Sequence, residues 1–264
     1  MVNASENKFG LRVKWLGCAC FEMDFGNVTV VNDPWITANK STELDWEAVE
    51  KCDYITLTHG HYDHTLDIPA LVKKFDPYIL CGENTAIPLM KWANLNPMMV
   101  YPMPANLEID LDDIKIKAFY GRHTYMPGGE KERAVSRRNH PVNVGDDNLI
   151  DLAFWGDFEY RNFLYTMPNG IKVFIWGNML SRPDQRNIMR EIKPDIAMLQ
   201  ITGRNDPADV VRVCKEMRCK VLIPNHIDFP KDYSESVQEL GAVMAKDLPE
   251  VRFIVPEYGK WINL

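Results

Sequence analysis

Apolar and polar residues alternate with a period of two through the opening segments "LRVKWLG" (11–17), "CFEMDFG" (20–26) and "NVTVVNDP" (27–34). Gly and Asn turn signals separate them, so the pattern predicts short strands joined by hairpins. From residue 53 the rhythm changes. A buried strand, "YITLTH", is followed by a helix-like "IPALVKKF", a strand "YILCG" and a second helical stretch around "TAIPLMKWANL". Residues 106–120 read as another hairpin, with apolar side chains alternating against acidic ones. A further hairpin, "FLYTMPNGIKVFIWG", carries Asn169–Gly170 as its turn. Alternation then returns: helix "RPDQRNIMREI", strand "IAMLQIT", helix "DPADVVRVCKEM", strand "KVLIPNH", a helix near 234–246 and strand "VRFIVPE". In the second of these helices Asp206 is placed to cap and Pro207 to occupy the first turn. The aromatic-rich "LAFWGDFEYRNFLY" (152–165) alternates as a core-packed strand would.

The order is β-rich, then α/β, twice over. It predicts an α/β chain of two similar halves, each a sheet with helices on one face, packed sheet to sheet in a four-layer αββα sandwich. At 264 residues the chain buries about three-quarters of its unfolded surface, which suits a single domain over 1–264. One irregular insertion, near 124–149, is long enough to suggest a substrate-facing segment or lid.

Composition narrows the function. A formal charge of −7 disfavours nucleic acid as a partner, because holding a phosphate backbone needs clustered Lys and Arg. The N-terminus lacks the apolar run of a secretory signal, and no stretch approaches a membrane span. A cytoplasmic protein without membrane contact is expected, with a homo-oligomer left open. The six cysteines are scattered, several in apolar segments, and read as small buried hydrophobes rather than disulfides. A metal site shared by Cys18 and Cys20 is not expected.

The chemistry lies in "THGHYDH". Three of the six histidines, His59, His61 and His64, fall within six positions and Asp63 stands among them, just beyond an apolar strand. Imidazoles and a carboxylate are the donors preferred by zinc and similar divalent ions. Four such groups at this spacing suit two neighbouring ions better than one. His123 and His226 also follow strand-like runs, each placed to complete a shell. The sixth, His140, sits in the long loop.

The string His59-x-His61-x-Asp63-His64, with isolated histidines after later strands, resembles the metallo-β-lactamase superfamily over nearly the whole chain. The opening "KWLGCACFEMDFGNVTVVNDPW" is similar to its UlaG-like branch, named for L-ascorbate-6-phosphate lactonase. The resemblance implies the metallo-β-lactamase fold. It implies one metal on His59, His61 and His123, and a second on Asp63, His64 and His226. Family members supply a bridging Asp from a "GD" loop; here "VFIWGNML" puts Asn178 in that place. A neutral amide is a poorer bridge between two cations, so a weaker second site is expected.

The expected activity is hydrolysis by metal-activated water, with Asp63 orienting the nucleophile, on a small, anionic ester, lactone or phosphoester. The cofactor is one or two divalent ions per chain, Zn2+ or Mn2+ foremost, with Fe or Ni as alternatives. Arg122, Tyr125 and His140 are candidate substrate contacts, joined by Arg133, Arg137 and Arg138. Tyr125, His140 and Asp228 are candidate proton donors to the leaving group. The competing readings are an iron-dependent oxidoreductase of the same fold and a metal-binding protein whose catalysis is impaired.

Overall fold

The computed structural model describes residues 8–111, 113–122, 147–177, 183–201 and 205–264. His123, Tyr125, His140, Asn178 and the arginines at 133, 137 and 138 lie outside the described residues. The same holds for most of the 124–149 insertion.

The first sheet is built from β1 (Arg12–Gly17), β2 (Cys20–Asp24), β3 (Thr29–Asn32), β4 (Tyr54–Thr56), β5 (Tyr78–Cys81) and β6 (Val100–Pro102). The second is built from β7 (Glu108–Asp110), β8 (Lys115–Tyr120), β9 (Arg161–Thr166), β10 (Lys172–Trp176), β11 (Ile196–Gln200), β12 (Val221–Asn225) and β13 (Arg252–Phe253). A last strand, β14 (Trp261–Asn263), returns to pair antiparallel with β1, giving two seven-stranded sheets. In both, an antiparallel part, β14-β1-β2-β3 or β7-β8-β9-β10, continues into a parallel part, β3-β4-β5-β6 or β10-β11-β12-β13. The doubled rhythm of the sequence is this repeated topology.

Alternation along each strand sorts the core. Trp15, Val30 and Leu80 point between the sheets, where they join Ile116, Phe163, Phe174 and Met198. Their neighbours Leu16, Val31 and Ile79 face the other way, onto Ile68, Leu71 and Leu89 of α2 (Ile68–Phe75) and α3 (Glu83–Ala93). Across the gap between sheets, the hydroxyls of Thr56 and Tyr165 are 2.7 Å apart. The outer face of the second sheet is covered by α5 (Pro183–Ile192), α6 (Pro207–Met217) and α7 (Ser234–Asp247). Asp206 caps α6 as expected, accepting from the Ala208 amide at 2.9 Å. The Asn169–Gly170 turn joins β9 to β10, with Gly170 at φ +83°.

One expectation is corrected. Residues 152–158 are not strand but the end of α4 (Asp147–Phe158), and β9 begins only at Arg161. The alternating aromatics do not mark two faces of a sheet. Phe154 and Phe158, one helical turn apart, are exposed and pack on each other, while Leu152 is buried beneath α4.

Just beyond α4, Glu159 makes a cap that belongs to another helix. The residue at the N-cap of α3 is Gly82, which has no side chain to offer. The Glu159 carboxylate takes its place, accepting from the amides of Asn84 (3.1 Å) and Thr85 (2.8 Å) and from the Thr85 hydroxyl (2.7 Å). A β-carbon on residue 82 would lie 2.2 Å from that carboxylate, so glycine is required for the approach. Buried Arg161 donates to the same carboxylate at 3.2 Å and to the Met103 carbonyl at 2.9 Å.

Candidate metal centre

The motif loop leaves β4 and runs directly under α4. His59 is buried; His61 occupies the N-cap of a single helical turn, α1 (Tyr62–Thr65), which carries Asp63 and His64. One turn of helix is what turns Asp63 and His64 back toward the strand end that His59 has just left. Nε2 of His59 and Nδ1 of His61 lie 3.1 Å apart. Oδ2 of Asp63 lies 3.5 Å from Nε2 of His64 and 3.4 Å from Nε2 of His226. For metal–nitrogen and metal–oxygen bonds of about 2.1 Å, a tetrahedral edge is about 3.4 Å. These separations suit donors that share an ion. The donor set fits a divalent cation, and five of the sequence-predicted ligands come together in two groups.

His226 arrives from the far end of the chain. It follows β12 at φ +59°, and its amide donates to the Cys18 carbonyl at 2.8 Å. Its Nδ1 donates to the Phe229 carbonyl at 2.7 Å, which turns Nε2 toward Asp63. A backbone carbonyl on the outer nitrogen is the usual way a ligating imidazole is oriented.

Asp33, unassigned by sequence reasoning although it stands in the "NDP" that closes the opening segment, serves both groups. Its Oδ1 accepts from the Thr58 amide at 2.7 Å and its Oδ2 from the Thr58 hydroxyl at 2.7 Å. That hydroxyl is 2.9 Å from Nδ1 of His59, and Oδ2 of Asp33 is 2.9 Å from Nδ1 of His64. One buried carboxylate thus orients a histidine of each group. Replacing it by asparagine keeps the shape and removes the charge. Asp33→Asn is expected to weaken metal binding about 10- to 100-fold, as for other outer partners of ligands, and competition with a chelating dye would measure it.

Electrostatics match a cation site. Burial alone would push the His64 imidazole down, but Asp63 and Asp33 together outweigh it and raise its pKa to about 10. Burial opposes ionisation of Asp63, yet His64 and His226 hold its carboxyl well below the usual range. The Asp33 and Asp63 carboxylates are balanced only in part by the His64 imidazolium, and a bound cation would supply the remaining positive charge.

Two further supports escaped the sequence reading. The Tyr160 ring stacks on His59 with centroids 4.8 Å apart. Gly156 of α4 lies against the motif itself: a β-carbon there would sit 2.5 Å from Cδ2 and 2.9 Å from the amide nitrogen of His61. Alanine in place of a helical glycine ordinarily gains about 1 kcal/mol. Overpacking against backbone costs about 1–3 kcal/mol and wins here. Gly156→Ala should lower the denaturant midpoint and loosen metal held by His59 and His61; a raised midpoint with unchanged affinity would show that α4 does not hold the loop.

Asp228, a candidate proton donor on sequence grounds, has structural duties instead. Its carboxylate accepts from the Cys18 amide at 3.0 Å, from Asn39 Nδ2 at 2.8 Å and from the Tyr258 hydroxyl at 3.0 Å. A carboxylate holding three donors clamps the loops around the site and is poorly suited to deliver a proton. Arg122, at the end of β8, places its guanidinium over the Tyr120 ring at 5.4 Å.

Residues 12–226, from β1 through His226, match the model of a β-lactamase superfamily domain. The chain belongs to the metallo-β-lactamase superfamily. A UPF0173 protein of Pyrococcus abyssi is 32% identical over 221 residues, covering 82% of this chain and 83% of the relative. A UPF0173 metal-dependent hydrolase of Polaromonas sp. is 26% identical over 230 residues, 81% of this chain and 76% of the relative. Among solved structures, a metallo hydrolase of the archaeon Ignicoccus hospitalis superposes with a TM-score of 0.67 at 17% identity, covering 96% of this chain and 97% of its own. The two-sheet architecture is thus the metallo-β-lactamase fold.

Proposed function

We propose that this protein is a metal-dependent hydrolase acting on a small, anionic ester, lactone or phosphoester. The observation that carries the reading is the convergence of His59 with His61 at 3.1 Å and of Asp63 with His64 and His226 at 3.4–3.5 Å. A divalent cation bound by such donors supplies a hydroxide nucleophile at neutral pH and polarises the bond under attack. The protein's own part is to hold these donors rigidly: Asp33, the Phe229 carbonyl and the Tyr160 ring fix the imidazoles before any ligand arrives. Asp63, still ionised at neutral pH, accepts a proton or a hydrogen bond from the attacking water and orients it.

His123 is assigned as the third donor beside His59 and His61. Asn178, in the place of the family's bridging carboxylate, leaves the pair of sites with less negative charge, so one ion binds more tightly than the other. Likeness of residues 14–35 to the UlaG-like branch supports a small, anionic substrate, for which Arg122, Tyr125 and His140 are the proposed contacts. The same histidine-rich set favours zinc or manganese over iron.

The test is metal analysis joined to substrate screening. Purified protein should retain metal through dialysis, lose it to a strong chelator, and hydrolyse members of an ester, lactone and phosphoester panel only when reloaded. Inactivity of fully loaded protein across that panel would favour a binding protein, and oxygen uptake by an iron-loaded form would favour the oxidoreductase reading.

A further inference from the structure

Among the described residues, the donors gathered around Asp63 are four, not three. The Cys18 sulfur lies with the donor atoms of Asp63, His64 and His226 in one buried group, every donor within 4.8 Å of every other. We propose that Cys18 is a metal ligand: its thiolate, with Asp63, His64 and His226, completes a four-donor site selective for zinc. This rests on the metal-site reading above and changes what that site is.

Three observations support it. First, Cys18 is not a strand residue. It occupies the turn between β1 and β2 at φ +47°, a conformation in which glycine would be cheaper. Second, every main-chain group that holds it there is anchored. Its amide donates to the Asp228 carboxylate, and its carbonyl accepts from the Trp15 indole at 2.9 Å and from the His226 amide at 2.8 Å. The sulfur's position is thus locked to the backbone of a proposed ligand. Third, the charges close. Asp63 and a thiolate together neutralise a dication, which compensates for the neutral Asn178 at the family's bridging position. Binding would release two protons to water: the thiol's as the sulfur–metal bond forms, and that on Nε2 of the His64 imidazolium as this nitrogen becomes a donor to the ion. A soft sulfur donor favours zinc or cobalt and disfavours manganese and magnesium, so the site would discriminate among the ions the histidines alone accept.

Chelator-treated full-length protein, reloaded with cobalt(II), tests this by spectroscopy. Wild type should show a near-ultraviolet sulfur-to-cobalt charge-transfer band, and Cys18→Ser should lack it while keeping the visible bands of histidine-bound cobalt. Cys18→Gly, which suits the left-handed turn and preserves the fold, should behave likewise. Either variant should bind one equivalent of zinc at least about 100-fold more weakly, beyond the loss typical of an outer partner. If wild type takes up cobalt with no sulfur band, or if the band survives in both variants, Cys18 is not a ligand and the hydrolase reading stands. If wild type binds no cobalt at all, both fall.

Discussion

Asp63→Asn is expected to lower kcat/KM by about 10²- to 10⁴-fold on whatever substrate the wild type hydrolyses, with metal at saturation. The carboxylate is the only described acidic group facing both His64 and His226 within 3.5 Å. An amide of the same shape keeps the packing but neither accepts a proton nor balances the ion. The metal-free protein should respond as well. Asp63 ionises well below its ordinary range, so its contribution to stability is present above roughly pH 4 and is lost as pH falls. His64, raised to about 10, contributes below its unfolded value and loses that contribution as pH rises through about 10. The stability difference between metal-free wild type and Asp63→Asn should therefore be present at neutral pH and fade in acid. Near-normal turnover by a fully loaded Asp63→Asn protein would remove Asp63 from the chemistry.

Glu159→Ala should be the most damaging substitution away from the site, costing about 3–5 kcal/mol and lowering Tm by roughly 10 °C. It strips α3 of its carboxylate cap and leaves the buried Arg161 guanidinium without that partner, its remaining described carboxylate contact being Glu83 at 3.4 Å. An uncompensated buried charge is the larger of the two losses. Adding Arg161→Met should recover part of the stability, because it removes the stranded charge, but not the cap. If the single variant melts within a degree or two of wild type, solvent reaches Arg161 and the pair is not buried in solution.

Period-two alternation located the hairpins, and Asp206–Pro207 and Asn169–Gly170 marked a helix start and a turn by local chemistry alone. The ligand cluster was legible because four donors within six residues seldom gather without an ion to hold. What stayed hidden depended on distance. Nothing near Glu159 in sequence says that it caps a helix beginning at residue 83. Asp33 stood in plain view, but its link to His59 and His64 exists only after β3 and β4 pair. Cys18 was read as a small buried hydrophobe, and the turn at φ +47° that brings it to the site follows from contacts with residues 226 and 228. The 152–158 segment failed for another reason: a mostly apolar run reads alike as strand or helix when few charged residues mark a face.

The pairing of β14 with β1 carries a consequence for how the chain is made. Residues 261–263 cover one border of the first sheet, and Leu264 is buried beside them, its amide donating to the Leu11 carbonyl. During synthesis the hairpins of β1 to β3 emerge before residue 261 does, and until then that border stays uncovered. An open strand edge invites pairing with other chains. The interval before residue 261 emerges is therefore when nascent copies of this protein are most exposed to one another.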